Sequence, residues 1–106
     1  MLSQSSVGGS RSEGKTVQLS QAQCLVPEPI YPSIARRMGE QGKTLVRIVI
    51  NEQGLINQAS LAQSSGLPRL DQAALDAAQK VRCKPFVESG VAIKVTAIQP
   101  YIFRLE

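Results

Sequence analysis

The sequence predicts a small α+β domain, with two helices packed on one face of a mainly antiparallel three-stranded sheet, in the order helix, strand, strand, helix, strand. Three observations in the 106-residue chain carry this prediction. Apolar residues alternate in T-L-V-R-I-V-I and again in V-A-I-K-V-T-A-I, the period of a strand buried on one face. Between these stretches Leu70, Ala73, Ala74, Ala77 and Val81 recur at the spacing of a helical stripe that faces a core. Proline stands where each helix would begin, at Pro32 and Pro68, a position where its missing N–H costs nothing.

In chain order, residues 1–15 are rich in Ser, Gly and charge and are expected to form a disordered tail or linker remnant. They lack the apolar centre of a secretory signal, so any anchor or address is expected upstream. Residues 16–28 read as an extended arm, with Val17, Leu19 and Leu25 as its apolar positions. P-E-P-I-Y-P follows; each proline fixes φ and biases its predecessor toward extended backbone, so this lead-in is stiff and non-helical. The helix S-I-A-R-R-M-G-E-Q places Ile34, Ala35 and Met38 inward and Arg36, Arg37 and Glu40 outward, with Gly42 as terminator. A hairpin comes next: Val46, Ile48 and Ile50 alternate inward, N-E-Q-G turns, and Ile56 starts the return strand. Ile56 is even while Ala59 and Leu61 are odd, which predicts a β-bulge near Asn57 and Gln58. After the S-S-G turn, the alanines of the second helix imply close packing on the sheet. Residues 83–90 are expected to turn through Pro85 and Gly90 into one long last strand, from Val91 to Leu105, interrupted by Pro100.

Composition excludes several function classes. Residues 9–16, G-S-R-S-E-G-K-T, match the string of a phosphate-binding loop. That loop works only between a buried strand and a helix N-terminus, where backbone N–H groups converge on phosphate. Here M-L-S-Q-S-S-V precedes it and an alternating arm that runs into prolines follows, so the match is coincidental. The chain has no histidine and two cysteines, Cys24 and Cys83, which removes the commonest general base and is too few thiols for a zinc site. Glu28, Glu40, Asp71 and Asp76 form no paired-carboxylate pattern, and Asp71 reads as support for a helix N-terminus. The net charge of +4 suggests an anionic partner or surface without naming one. Tyr31, Phe86, Tyr101 and Phe103 are not interleaved with basic residues as a base-stacking strip requires. No apolar run approaches the roughly 20 residues of a spanning helix. The expectation is a non-enzymatic binding module without cofactor, metal, nucleotide or nucleic acid.

From Pro29 onward, P-I-Y-P-x-x-A, G-K-T-L-V-R-I-V-I-N-E-Q-G, S-S-G-L-P-x-L-D-Q-A-A-L-D-A, P-F and Q-P-Y-I-F-R-L follow one another in an order that resembles the C-terminal domain of TonB proteins. The likeness spans residues 29–106. It implies a periplasmic domain, held in the full-length protein by a Pro-rich linker and an inner-membrane helix. Such a domain engages the TonB box and plug of outer-membrane receptors for siderophores, haem or cobalamin, and passes on work from an ExbB–ExbD-type motor driven by the proton gradient. Two features depart from the family pattern: Cys83 stands where an aromatic is usual, and the arm at residues 16–26 is additional. A TolA-like bridging domain is the first alternative, and a basic nucleic-acid binder is the second.

The resemblance also implies where partners bind. The last strand would lie against the first hairpin strand and leave its other side free for strand addition along Ile93, Lys94, Val95, Thr96, Ala97, Ile98 and Gln99. Pro100 would shorten the ladder beyond, and Lys94 would attract an acidic segment. Glu28, Ile30 and Tyr31 in the lead-in would form a second contact, with Tyr31 alternatively a staple on the core. The arm is brought near the end of the second helix, where an oxidising compartment permits a Cys24–Cys83 disulfide. An open edge would also permit a homodimer.

Overall fold

The computed structural model describes residues 15–105. Residues 1–14 of the proposed tail, and with them all but Lys15 and Thr16 of the phosphate-loop string, lie outside the described residues.

The core forms where the two alternating stretches meet. Strand β3 (Gly42–Ile50) pairs antiparallel with β8 (Val95–Phe103) in an unbroken register from Gly42 opposite Phe103 to Ile50 opposite Val95. Val46, Ile48 and Ile50 therefore share a face with Val95, Ala97, Tyr101 and Phe103, and all of them are buried. On its other side β3 pairs antiparallel with β4 (Ile56–Gln63). The turn between them is held by Asn51, whose Oδ1 accepts the backbone N–H groups of Gln53 and Leu55 at 2.9 and 3.0 Å. Gly54 adopts φ +85°, and a Cβ there would run into the carbonyl of Cys83, so only glycine fits this close approach.

Register slips where sequence parity broke. Val49 faces Gln58 while Ile50 faces Ile56, leaving Asn57 as the extra residue. A second slip that parity did not flag sets Ala62 aside between the Leu45–Gln63 and Val46–Leu61 pairs.

Helix α2 (Ser33–Arg37) is shorter than its sequence suggested. Only Ala35 is buried; Ile34 and Met38, expected inward, are exposed. The helix ends before Gly39, which takes φ +71°, and Gly42 instead opens β3, so the expected terminator was three residues late. Helix α3 (Pro68–Ala78) lies as its stripe implied, with Leu70, Ala74 and Ala77 in the core beside Val81. A Leu side chain buried in this way contributes about 1.5–3 kcal/mol.

The expected single last strand is two pieces. Strands β6 (Phe86–Glu88) and β7 (Val91–Ile93) form their own hairpin around Ser89 and Gly90, both at positive φ, before the chain breaks at Lys94 and enters β8. Positive φ at both central residues matches the turn whose twist suits a two-residue hairpin.

The arm corrects the three-stranded expectation. Strand β1 (Lys15–Thr16) pairs parallel with β8, making a mixed four-stranded sheet in the order β1-β8-β3-β4. Helix α1 (Leu19–Ala22) follows and buries Ala22. Strand β2 (Cys24–Leu25) then pairs with β5 (Arg82–Cys83), where Cys24 and Cys83 are joined by a disulfide across a sequence separation of 59.

Candidate docking edge

The backbone of β8 decides which groups face away from β3. Val17 donates its backbone N–H to the carbonyl of Thr96 at 2.8 Å. Strand alternation then directs the backbone of Thr96, Ile98 and Pro100 outward and that of Ala97 and Gln99 toward β3. Pro100 has no N–H to offer a further strand. Its carbonyl accepts the Nε2 of the adjacent Gln99 at 2.8 Å, so the edge is capped at that point by the chain itself. Among the described residues the outward stretch able to form a ladder is thus short, centred on Thr96 and Ile98.

Beyond Pro100 the edge becomes a groove of about 470 Å³ between β8 and the lead-in, with Glu28, Tyr31, Gln99 and Tyr101 among its walls. Neither the Tyr101 hydroxyl nor Gln99 Oε1 has a hydrogen-bond partner among the described residues, and both atoms are buried. Burial pushes the Tyr101 hydroxyl up to about 12, because the phenolate cannot be hydrated there.

The expected partner-binding residues divide into three groups. Tyr31 is tied inward: its hydroxyl donates to the Glu40 carbonyl, its ring stands edge-on to Phe103 with centroids 5.5 Å apart, and the Arg36 guanidinium lies 4.7 Å above it. Glu28 and Ile30 stay exposed and line a cavity between the lead-in and α3, with Arg69, Gln72 and Ala73 on its far wall. On the strand, Ile93 belongs to the β6–β7 hairpin opposite Phe86, and Lys94 sits at the break. Val95 and Ala97 are fully buried on the helix face, Thr96 is buried on the opposite face, Ile98 is exposed, and Gln99 lines the groove together with Glu28 and Tyr31. Lys15, the last residue of the expected tail, and Thr16 and Val17 of the arm lie on the same edge; the weak alternation of the arm was the one signal available.

Asp71 shows a different use of polar groups. It sits in the first turn of α3 and accepts the Oγ1 of Thr44, the backbone N–H of Ser65 and the Oγ of Ser65, each at 2.9 Å, together with the Oγ of Ser64. Burial pushes its carboxyl up, but the hydrogen bonds from Ser64, Ser65 and Thr44 outweigh this and leave it below the usual value. This network locks the helix to β3 and to the end of β4. Among the described residues no group of three or more His, Cys, Asp or Glu side chains is placed to hold a metal ion.

Residues 27–105 match the family described as Gram-negative bacterial TonB protein C-terminal. The chain belongs to that family. It is 35% identical over 79 residues to the TonB protein of Vibrio cholerae, covering 74% of this chain and 32% of the relative. The TonB protein of Neisseria meningitidis serogroup C is 35% identical over 54 residues, covering 51% of this chain and 19% of that protein. The chain therefore spans a third or less of these full-length relatives. Its fold is similar to the solution structure of the Pseudomonas aeruginosa TonB C-terminal domain, with TM-score 0.72 at 23% identity over 88% of this chain and 97% of that one. It is also similar to the Helicobacter pylori TonB C-terminal domain, with TM-score 0.59 at 27% identity over 74% of this chain and 70% of that one. The family match begins at Pro27, so β1, α1 and β2 lie ahead of the matched TonB segment.

Proposed function

We propose that this TonB C-terminal domain is a periplasmic binding module that takes up the N-terminal TonB box of an outer-membrane receptor as an added strand on β8. Through parts of a longer protein it would be held at the inner membrane and driven by an ExbB–ExbD-type motor, serving uptake of siderophores, haem or cobalamin. The observation that supports this reading is the β8 edge itself: its outward backbone at Thr96 already accepts a strand, supplied by the chain's own Lys15–Thr16. Strand addition needs no catalytic group, because backbone hydrogen bonds supply affinity and alternate side chains supply specificity. Several such bonds loaded together also suit a domain that transmits force. Glu28, in the groove wall, and Ile30, exposed on the lead-in toward α3, are the proposed second contact with the receptor plug; Tyr31 acts there as the staple that holds the lead-in in place.

An NMR titration with synthetic peptides copied from the N-terminal segments of outer-membrane receptors tests the reading. Chemical-shift changes should centre on Thr96 to Gln99 and extend to Glu28 and Ile30. Changes confined to β4 or to the outer face of α3 would overturn it.

A further inference from the structure

We infer that residues 15–17 are an internal occupant of the docking edge, a strand that guards β8 and that an incoming partner must displace. The inference rests on the proposed use of that edge and adds its regulation.

The attachment is placed where a partner strand would start. Lys15 pairs with Val95 and Thr16 with Thr96, and Val17 donates to the Thr96 carbonyl at 2.8 Å. The outward backbone of Thr96 therefore cannot serve an added strand and the arm at once. Without β1, the start of β8 would be an unpaired edge on a long regular strand, the arrangement that recruits unwanted chains.

The attachment is also slight. Both residues of β1 are exposed. Lys15 forms an ion pair with Glu88 of the β6–β7 hairpin, but each side chain is about half exposed, at 51% and 47%, so the pair adds little. Val17 is the one buried anchor of this segment. A strand of this size does not stay docked by its own affinity. It stays because its root is fixed: Ala22 is packed in the core, and the Cys24–Cys83 disulfide clips the chain seven residues after Val17 to β5. Tethering that close converts docking into an intramolecular step at high effective concentration. The segment can thus leave the edge while α1 and β2 remain in place, as low-stability elements do in local opening. An incoming strand that displaces Val17 must bring an aliphatic side chain to the same place in the core.

The test uses the full chain and two variants. Val17→Pro removes the N–H given to Thr96; Lys15→Gly with Thr16→Gly leaves the core untouched and removes only strand propensity and the ion pair. Two readouts are taken, amide hydrogen exchange along β8 and the affinity of a synthetic receptor N-terminal peptide. If the arm occupies the edge about 90% of the time, release should tighten peptide binding by about tenfold, since apparent affinity scales with the competent fraction. Exchange at Thr96 should rise in both variants while exchange at Ala97, bonded toward β3, stays slow. Unchanged peptide affinity in the diglycine variant, with shifts still centred on β8, would overturn the guarding role alone. Peptide shifts away from β8 in every form would overturn the edge reading itself and the guard with it. Fast exchange at Val17 in the unmodified chain would show that the edge is already open, and would also refute the inference.

Discussion

Along β4 the ladder with β3 slips twice, at Asn57 and at Ala62, whereas β8 pairs with β3 through its whole length without a shift. Both strands flank the same central strand, and both need protection from further pairing. In β4 that protection is built into the strand: bulges twist and interrupt the edge, and Asn57, Gln58 and Gln63 are exposed along it. In β8 the edge is regular and is covered at one end by a detachable segment and at the other by Pro100 with its capped carbonyl. A bulge cannot be removed by a partner, whereas a docked segment can. Of the two edges, β8 is the one suited to exchange.

The largest expected effect comes from cutting the clip that roots the segment docked on β8. Replacing Cys24 and Cys83 together by serine opens a loop spanning 59 residues, which in the chain-entropy model costs about 4 kcal/mol. Equilibrium denaturation should show a loss of that order, with exchange rising along β8 and little preferential change along β4. A loss below about 1 kcal/mol would mean that β2–β5 pairing, not the bond, holds the arm's root.

Proline substitution on β8 tests its two-sided character. Ala97 directs its N–H to β3, so Ala97→Pro should cost about 3 kcal/mol or more by breaking the central ladder. Thr96 directs its N–H away, so Thr96→Pro should leave a folded domain that no longer binds a receptor peptide. Circular dichroism together with the peptide titration checks both. A folded, peptide-binding Thr96→Pro variant would remove β8 as the docking edge.

The next effect belongs to the β4 side. Asp71 holds Thr44, Ser64 and Ser65 at the point where β4 meets α3. Its folded carboxyl lies below the ordinary value of 3.8, so its contribution is complete above that pH and is lost as pH falls through the lowered folded value. Asp71→Asn should cost about 2 kcal/mol at neutral pH, the scale of hydrogen bonds to a charged acceptor. It should also flatten the acid side of the stability profile. Tyr101 works in the opposite direction: with its hydroxyl raised to about 12, stability should fall as pH rises above the ordinary value of 10. Neither group touches the outward backbone of Thr96, so peptide affinity of the folded Asp71→Asn variant should match that of the unmodified domain.

What was legible in the sequence follows the strength of each local signal. The α3 stripe and the inward residues of β3 are periodic over several turns or pairs, and they stand where expected. The slip at Asn57 was visible because apolar parity changed there; the slip at Ala62 was not, because Leu61, Ala62 and Gln63 are all exposed and carry no parity to break. Ile34 and Met38 misled because a helix of five residues buries one position, and apolar residues beside it have no core to reach. Ser89-Gly90 was read as part of a turn into one long strand, since V-A-I-K-V-T-A-I alternates straight through the break at Lys94. For the site, the alternation located β8 but could not tell which backbone groups face outward. That follows from the pairing with β3. The arm was hardest to place: a parallel pair of two residues, formed by segments 80 positions apart in Lys15 and Val95, leaves almost no trace in local composition.

The smallest expected effect sharpens the comparison from beside the β8 edge. Ser89 occupies φ +52° next to Gly90 at +79°, the backbone of a hairpin turn that prefers Asn-Gly. Asparagine tolerates that conformation better than serine, so Ser89→Asn should stabilise the domain by about 0.5 kcal/mol. The change touches neither bulge of β4. It does stiffen the hairpin whose Glu88 holds Lys15, and so firms the far post of the guarding segment. If guarding depends on that post, exchange at Val17 should slow slightly and peptide affinity should fall by less than about twofold, the range left to an exposed ion pair. An unchanged exchange rate at Val17 in a measurably stabilised variant would show that the arm is held from its disulfide root and from β8 alone, with no part played by the hairpin.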